Sequence, residues 1–294
     1  MEYEFNENKL IEIFVFVDDY CKLLDQWVEQ SGQIPKAPNR SGLSVSEILT
    51  IIIFYHHSGF KCFEYYYERL VMGGLSSYFP KVVTYKHFLS LIPRCFNHLY
   101  ILCRIRCMMA ERTGIYFADS KKLPVCHNRR IHSNQVFKDL ARRGKSSTGW
   151  FYGFKLHLVI NNLGDMVNFM ISSANVSDNN TTVLNYLLED LTGHCFADKG
   201  YLTKLFEQFY MQGLKIVTKI RKNMKNQLMD LSEKYWLLKR AVIESVNDIL
   251  MTVCDIDHTR HRSPVNAFVH LLGGLMAYSF FDDKPSVYLP NLLT

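Results

Sequence analysis

Along the first 113 residues, apolar positions recur every three or four residues, the period of helices that bury one face. Residues 7–29 carry that spacing. Ser44-Val-Ser-Glu47 is a capping-box pattern that opens an apolar helix over 45–57. Gly59 closes it, and an aromatic-rich helix follows over 63–70. Gly73-Gly74 predicts a turn, Thr84 caps the next helix, and Pro93 interrupts before a last helix that reaches about Arg112. Short helices joined by glycine turns fit a helix-turn-helix-like DNA-binding unit, and they fit a plain bundle equally.

From Gly114 the texture changes. Residues 115–118 form a short apolar run that stops at Asp119. Residues 154–160 alternate, Asn161-Asn162-Leu163-Gly164-Asp165 turns, and 166–172 returns, which predicts a β-hairpin. An amphipathic helix over 181–191 leads to a short strand over 194–197 that stops at Asp198-Lys199-Gly200-Tyr201. A helix over 202–212, a strand over 215–220 and a long helix over 231–253 follow, and Ser263-Pro264 opens a final apolar helix. Strands interleaved with helices predict an α/β layer fold, with a mixed sheet flanked by helices over 114–294 and an all-helical domain over 1–113.

With 48% apolar and 21% charged residues among 294, the chain reads as globular and not disordered. No run approaches eighteen apolar residues, so no membrane span is expected. The opening MEYEFNENKL lacks a basic-then-apolar leader, and a cytoplasmic, nucleoid-associated location is expected. Eight cysteines without a CxxC pair predict reduced, mostly buried thiols.

Charge changes this picture more than composition does. Between Asp119 and Trp150 lie Lys121, Lys122, Arg129, Arg130, Lys138, Arg142, Arg143 and Lys145 against two acids, a surplus that equals the whole net charge of +6. Lys215, Lys219, Arg221, Lys222 and Lys225 form a second run without an acid. One such run is often a solvated loop. Two of them beside candidate carboxylates favour a polyanionic partner, most simply nucleic acid. Trp150-Phe151-Tyr152 beside the first run suits either stacking on an unpaired base or packing.

Asp119 and Asp198 each stand where a short strand runs out, where open α/β sheets place their ligands. Paired carboxylates repel unless cations neutralise them, and hard divalent ions prefer oxygen ligands. A third carboxylate would complete a site for two metals about 4 Å apart, suited to phosphodiester cleavage. At 100° per residue, Arg240 and Glu244 share a face of the helix over 231–253, away from its apolar stripe, with Leu237 and Met251 close by. Glu233 lies on that face too and is a rival for the third position.

The segments Phe117-Ala118-Asp119-Ser120, Ala197-Asp198-Lys199-Gly200-Tyr201, Arg240-x-x-x-Glu244 and 257–263 (Asp-His-Thr-Arg-His-Arg-Ser) together resemble the bacterial insertion-sequence transposases of the 982 type. These belong to the DDE group with a ribonuclease-H-like catalytic fold. The resemblance implies Asp119, Asp198 and Glu244 as a catalytic triad that binds two Mg²⁺, with Mn²⁺ able to substitute. It favours Glu244 over Glu233 and gives Arg240 a role beside Glu244 or on DNA. It further implies cleavage at the element's ends, strand transfer into target DNA, and a homodimer on the terminal inverted repeats. Phosphate contacts fall to Lys121, Lys122, Arg129, Arg130, Arg142, Arg143, Lys145, Lys219, Arg221 and Lys222, with His258, Arg260, His261 and Arg262. The related pattern Tyr-x-x-Arg-x-x-x-Glu-x-x-x-x-x-x-Lys has Leu237 and Met251 here at its first and last positions. Two other readings use the same residues: a metal-dependent nuclease without strand transfer, and a DNA-binding relic or repressor without catalysis.

Overall fold

A computed structural model describes residues 5–31, 42–146, 149–201, 205–219, 229–257 and 261–290. The chain sorts into two compact units. One comprises 1–103, 250–256 and 261–280; the other comprises 104–249, 257–260 and 281–294.

In the first unit, α1 (Glu7–Ser31) and α2 (Val45–Tyr55) are followed by α3 (Phe63–Tyr66), α4 (Tyr85–Leu91) and α5 (Phe96–Met109), whose last residues pass into the second unit. The capping box forms as its pattern predicts. The Ser44 hydroxyl accepts the Glu47 N–H at 3.1 Å, and the Glu47 carboxylate accepts the Ser44 N–H at 2.6 Å. Nine of the eleven α2 residues are buried, so this helix is the centre of the unit rather than an amphipathic cover. After one turn α3 widens into a π-helix over Tyr67–Gly74. The adjacent Tyr66 and Tyr67 are both buried and satisfied by the carbonyls of Ile51 and Val83, at 2.9 and 2.8 Å. The final helix, α10 (Pro264–Ser279), is capped by Ser263 with Pro264 in its first turn. It groups with these helices, although division of the sequence at 113 places it with the sheet. Gly273 lets it approach α2 closely, since a Cβ there would stand 2.9 Å from the Ile52 side chain.

The second unit is built on one six-stranded sheet: β1 (Ile115–Cys126), β2 (Arg142–Ser146), β3 (Gly149–Asn161), β4 (Met166–Ser173), β5 (Gly193–Ala197) and β6 (Leu214–Thr218). The order is β2-β3-β1-β5-β6, with β4 also on β3. β1, β3 and β4 are antiparallel neighbours, whereas β5 and β6 run parallel to β1. An antiparallel meander followed by parallel strands is the ribonuclease-H-like arrangement. At the β3–β4 turn the Asn161 side chain accepts the N–H groups of Leu163 and Asp165, and Gly164 takes φ +84°.

Four helices accompany the sheet: α6 (Thr181–Leu188), α7 (Phe206–Met211), α8 (Leu231–Lys239) and α9 (Ala241–Asp248). Tyr116, Ala118, Val159 and Cys195 pack with Leu184 and Leu187 of α6. Phe117 packs against Phe196 and against Trp236 of α8, with ring centroids 5.9 and 6.2 Å away. Adjacent β1 residues therefore feed two different apolar layers, as strand alternation requires.

Three details depart from the sequence reading. β1 does not stop at Asp119 but continues to Cys126. β2 (Arg-Arg-Gly-Lys-Ser) carries no apolar alternation to announce it. The long helix over 231–253 is broken at Arg240 and widens to a π-helix over Ile249–Val253. All eight cysteines are thiols outside any disulfide, five of them buried. Among the described residues, no helix is long and apolar enough to cross a membrane.

Candidate active site

The last parallel pair between β1 and β5 is Ala118 with Ala197. Asp119 and Asp198 are the next residues on these neighbouring strands, whose backbones in a sheet lie about 4.8 Å apart. It is β5 that leaves at this point, turning through Lys199–Tyr201, where the Tyr201 N–H reaches the Asp198 carbonyl at 2.9 Å. β1 runs on, paired only with β3 on its other edge, with Asp119 opposite Leu158. The departure of β5 leaves Asp119 without a strand partner on that edge of β1. By alternation Asp119 shares the face of Phe117, toward α8 and α9, and Ser120 shares that of Ala118, toward α6.

α9 supplies the other side chains around Asp119. Asn247 donates from Nδ2 to Asp119 Oδ2 at 3.0 Å. Arg240 donates to Glu244 Oε1 at 2.9 Å, and Lys121 reaches Asp248 Oδ1 at 3.4 Å. Burial pushes the Asp119 carboxyl up to about 6, and the Glu244 charge adds to the rise. Arg240, the Ser120 backbone and Lys121 pull it the other way. Asp119 is half-buried, while Asp198 and Glu244 are exposed. Among the described residues no three His, Cys, Asp or Glu side chains stand close enough together to form a ready-made metal cluster.

Glu233 lies elsewhere. It is 3% exposed, paired with Lys215 and 3.6 Å from His194. His194 and Lys215 stand near the beginnings of β5 and β6, at the opposite ends of these strands from Asp198. The sequence pattern sets Met251 close to the face of Arg240 and Glu244. That placement presupposes 100° per residue, and the π-helix over Ile249–Val253 ends the regular period at Asp248.

Behind Asp119, on the α6 side of the sheet, lies a polar network that the sequence did not announce. Asp178 accepts from Ser120 Oγ at 2.8 Å and from Lys155 Nζ at 3.0 Å. His157 lies opposite Ser120 in register and pairs with Ser172 Oγ at 2.8 Å. Gly200, two residues beyond Asp198, lies against Asp178, whose Oδ2 a Cβ there would meet at 3.4 Å. The network thus joins the segments that carry both aspartates. Burial pushes the fully enclosed His157 imidazole down to about 4. Its contribution to stability is complete above the unfolded-state value near 6.5 and lost as pH falls from there toward 4. The expected loss is on the order of 3 kcal/mol. Denaturant titrations between pH 7 and pH 4 should show this acid limb in the parent and a flatter one in His157→Gln.

The basic residues divide between surfaces. On β1, Lys121 shares the Asp119 face and Lys122 points to the other. On β2, Arg143 and Lys145 pair in register with Tyr152 and Trp150, whereas Arg142 lies on the opposite face with Gly144. Lys145 Nζ stands 5.9 Å from the centre of the Trp150 ring, which is 63% exposed. Arg129 and Arg130 lie exposed in the 3₁₀ turn Asn128–Ser133, which Asn128 ties to the Trp150 carbonyl at 2.7 Å. Lys219 is exposed after β6, and His261 and Arg262 belong to the first unit. Arg221, Lys222, His258 and Arg260 lie outside the described residues.

Residues 109–264, just over half the chain, match the family model of a transposase DDE domain. That span contains Asp119, Asp198 and Glu244. No curated protein and no solved structure matches the chain.

Proposed function

Because the chain belongs to the transposase DDE domain family, we propose that it cuts DNA at the ends of an insertion sequence of the 982 type and joins the freed 3′-OH to target DNA. The observation that carries this reading is the register of β1 and β5, which sets Asp119 and Asp198 side by side on neighbouring strands at the point where β5 turns away. Asp119 also meets α9 through Asn247, and that helix carries Glu244 and begins just after Arg240.

Asp119 and Asp198 would hold Mg²⁺ or Mn²⁺, with Glu244, now engaged by Arg240, as the third carboxylate. The donor set fits a hard divalent ion: all its atoms are oxygens, and burial works against a bare Asp119 charge. Two such ions, when bound, supply activation of the attacking oxygen and stabilisation of the leaving one. Lys121 and Arg240, beside Asp119, would hold the phosphate that reacts. Arg129, Arg130, Arg143 and Lys145 would hold flanking DNA, with Trp150 available to stack on a base. By analogy with the group, the complex that joins two element ends would hold at least two copies of the chain, a homodimer on DNA in the bacterial cytoplasm.

Incubation with end-containing DNA and Mg²⁺ or Mn²⁺ tests the reading. Nicking followed by joining is the expected result. Nicking without joining would indicate a nuclease, and binding without nicking a relic or repressor.

A further inference from the structure

Asn247 lies on α9 one turn beyond Glu244 and is 1% exposed. Its neighbours Val242, Ile243, Val246 and Leu250 are all buried and apolar. An asparagine in such a place needs a reason, because its amide requires partners that a leucine would not. One half is satisfied, by donation to Asp119 Oδ2 at 3.0 Å. The other half is not: Asn247 Oδ1 is buried and has no hydrogen-bond partner among the described residues. Reversing the amide would set its oxygen against a carboxylate oxygen and leave its N–H groups without acceptors, so the assigned orientation holds. An orphaned buried acceptor beside a half-buried carboxylate is a feature that fold stability by itself disfavours.

We infer that Asn247 is a positioning residue of the metal-holding site. Its N–H fixes one oxygen of Asp119, which leaves the other oxygen oriented for a divalent cation. Its orphaned Oδ1 is the acceptor for an O–H of water held in that site. A ligating carboxylate is normally held in this way by a second residue, and loss of that residue weakens metal affinity about 10–100-fold. This inference rests on the reading of Asp119 as a metal-holding carboxylate, and the test separates the two.

The test is Mn²⁺ binding to the full chain by calorimetry, without DNA, alongside thermal unfolding in chelator. The parent should bind Mn²⁺ and Asp119→Asn should not. Asn247→Ala should bind about 10–100-fold more weakly while its unfolding temperature in chelator stays close to that of the parent. Asn247→Gln keeps the amide but displaces it by one methylene, so it should weaken binding as well, and it serves if the alanine variant fails to fold. A purely structural fastener predicts the reverse: lower stability with unchanged Mn²⁺ affinity in the folded variants. That result would overturn the inference and leave the reading of Asp119 intact. A parent chain that binds no Mn²⁺ would overturn both.

Discussion

Asp119→Asn and Asp198→Asn should each reduce cleavage of end-containing DNA by about 10³-fold or more, because each removes a charged oxygen from the carboxylates proposed to hold a metal pair. Loss of activity through misfolding is separable from this. An asparagine at 119 keeps an acceptor oxygen for the Asn247 N–H, so the 3.0 Å link between β1 and α9 survives. Burial already raises the Asp119 carboxyl to about 6, so at pH 8 the parent holds a largely buried charge that the variant lacks. The melting temperature of Asp119→Asn in chelator should therefore equal or exceed that of the parent. DNA binding should persist too, since the basic hairpin surface is untouched. Glu244→Gln belongs with these variants. Glu233→Gln does not: it loosens the pairing with Lys215 and His194 at the far ends of the strands and should lower stability while the folded fraction still cleaves. Cleavage rates normalised to folded protein decide this. An Asp119→Asn chain that cuts like the parent would remove Asp119 from the site.

Signals confined to a few neighbouring residues were legible in the sequence. The Ser44–Glu47 box and the Asn161–Asp165 turn each bring their own hydrogen-bonding partners within five residues, so the pattern contains the interaction. The position of Asp119 and Asp198 just past the last β1–β5 pair was legible for a related reason: a short apolar run that stops at a carboxylate marks a place where burial ceases. What could not be read was why burial ceases. At Asp119 the strand does not end; its parallel neighbour does, and only the pairing of Ala118 with Ala197 shows it.

The misread elements share a physical cause, which is that apolar period reports burial and not the identity of the partner. α10 has nine buried residues between Val269 and Tyr278, and such a helix gives the same signal whether it covers a sheet or packs on α2. β2 gives no signal because Arg142 and Arg143 are exposed on both sides and Gly144 fills the one close approach, where a Cβ would run into the Ala174 carbonyl. A fixed angle per residue carried the helix over 231–253 through a break at Arg240 and a π-turn at Ile249, so Met251 was aligned with Glu244 on a period the backbone does not keep. Asn247 and Asp178 were invisible for the opposite reason. Their partners stand 128 and 58 residues away, and an isolated Asn or Asp in sequence says nothing of such partners.

The basic hairpin surface yields the other large effect. Strand alternation sets Trp150 on the side of β3 that carries Leu158, the partner of Asp119. Eight residues of strand at about 3.3 Å each place it roughly 26 Å along that face, which is close to eight base pairs of duplex. A duplex reacting at Asp119 and lying along β3 would then pass Arg129, Arg130, Arg143 and Lys145. If each neutralises one phosphate, replacing all four by alanine should reduce the slope of log affinity against log salt by about 3.6. Between 50 and 200 mM salt the parent should accordingly lose about 150-fold more affinity than the variant, for DNA of any sequence. Arg142 faces the other way on β2, so Arg142→Ala should change the slope little, which makes it the internal control. Fluorescence anisotropy across a salt series measures both. Equal slopes for the parent and the fourfold variant would reduce this surface to a solvated hairpin and move the DNA path elsewhere on the chain.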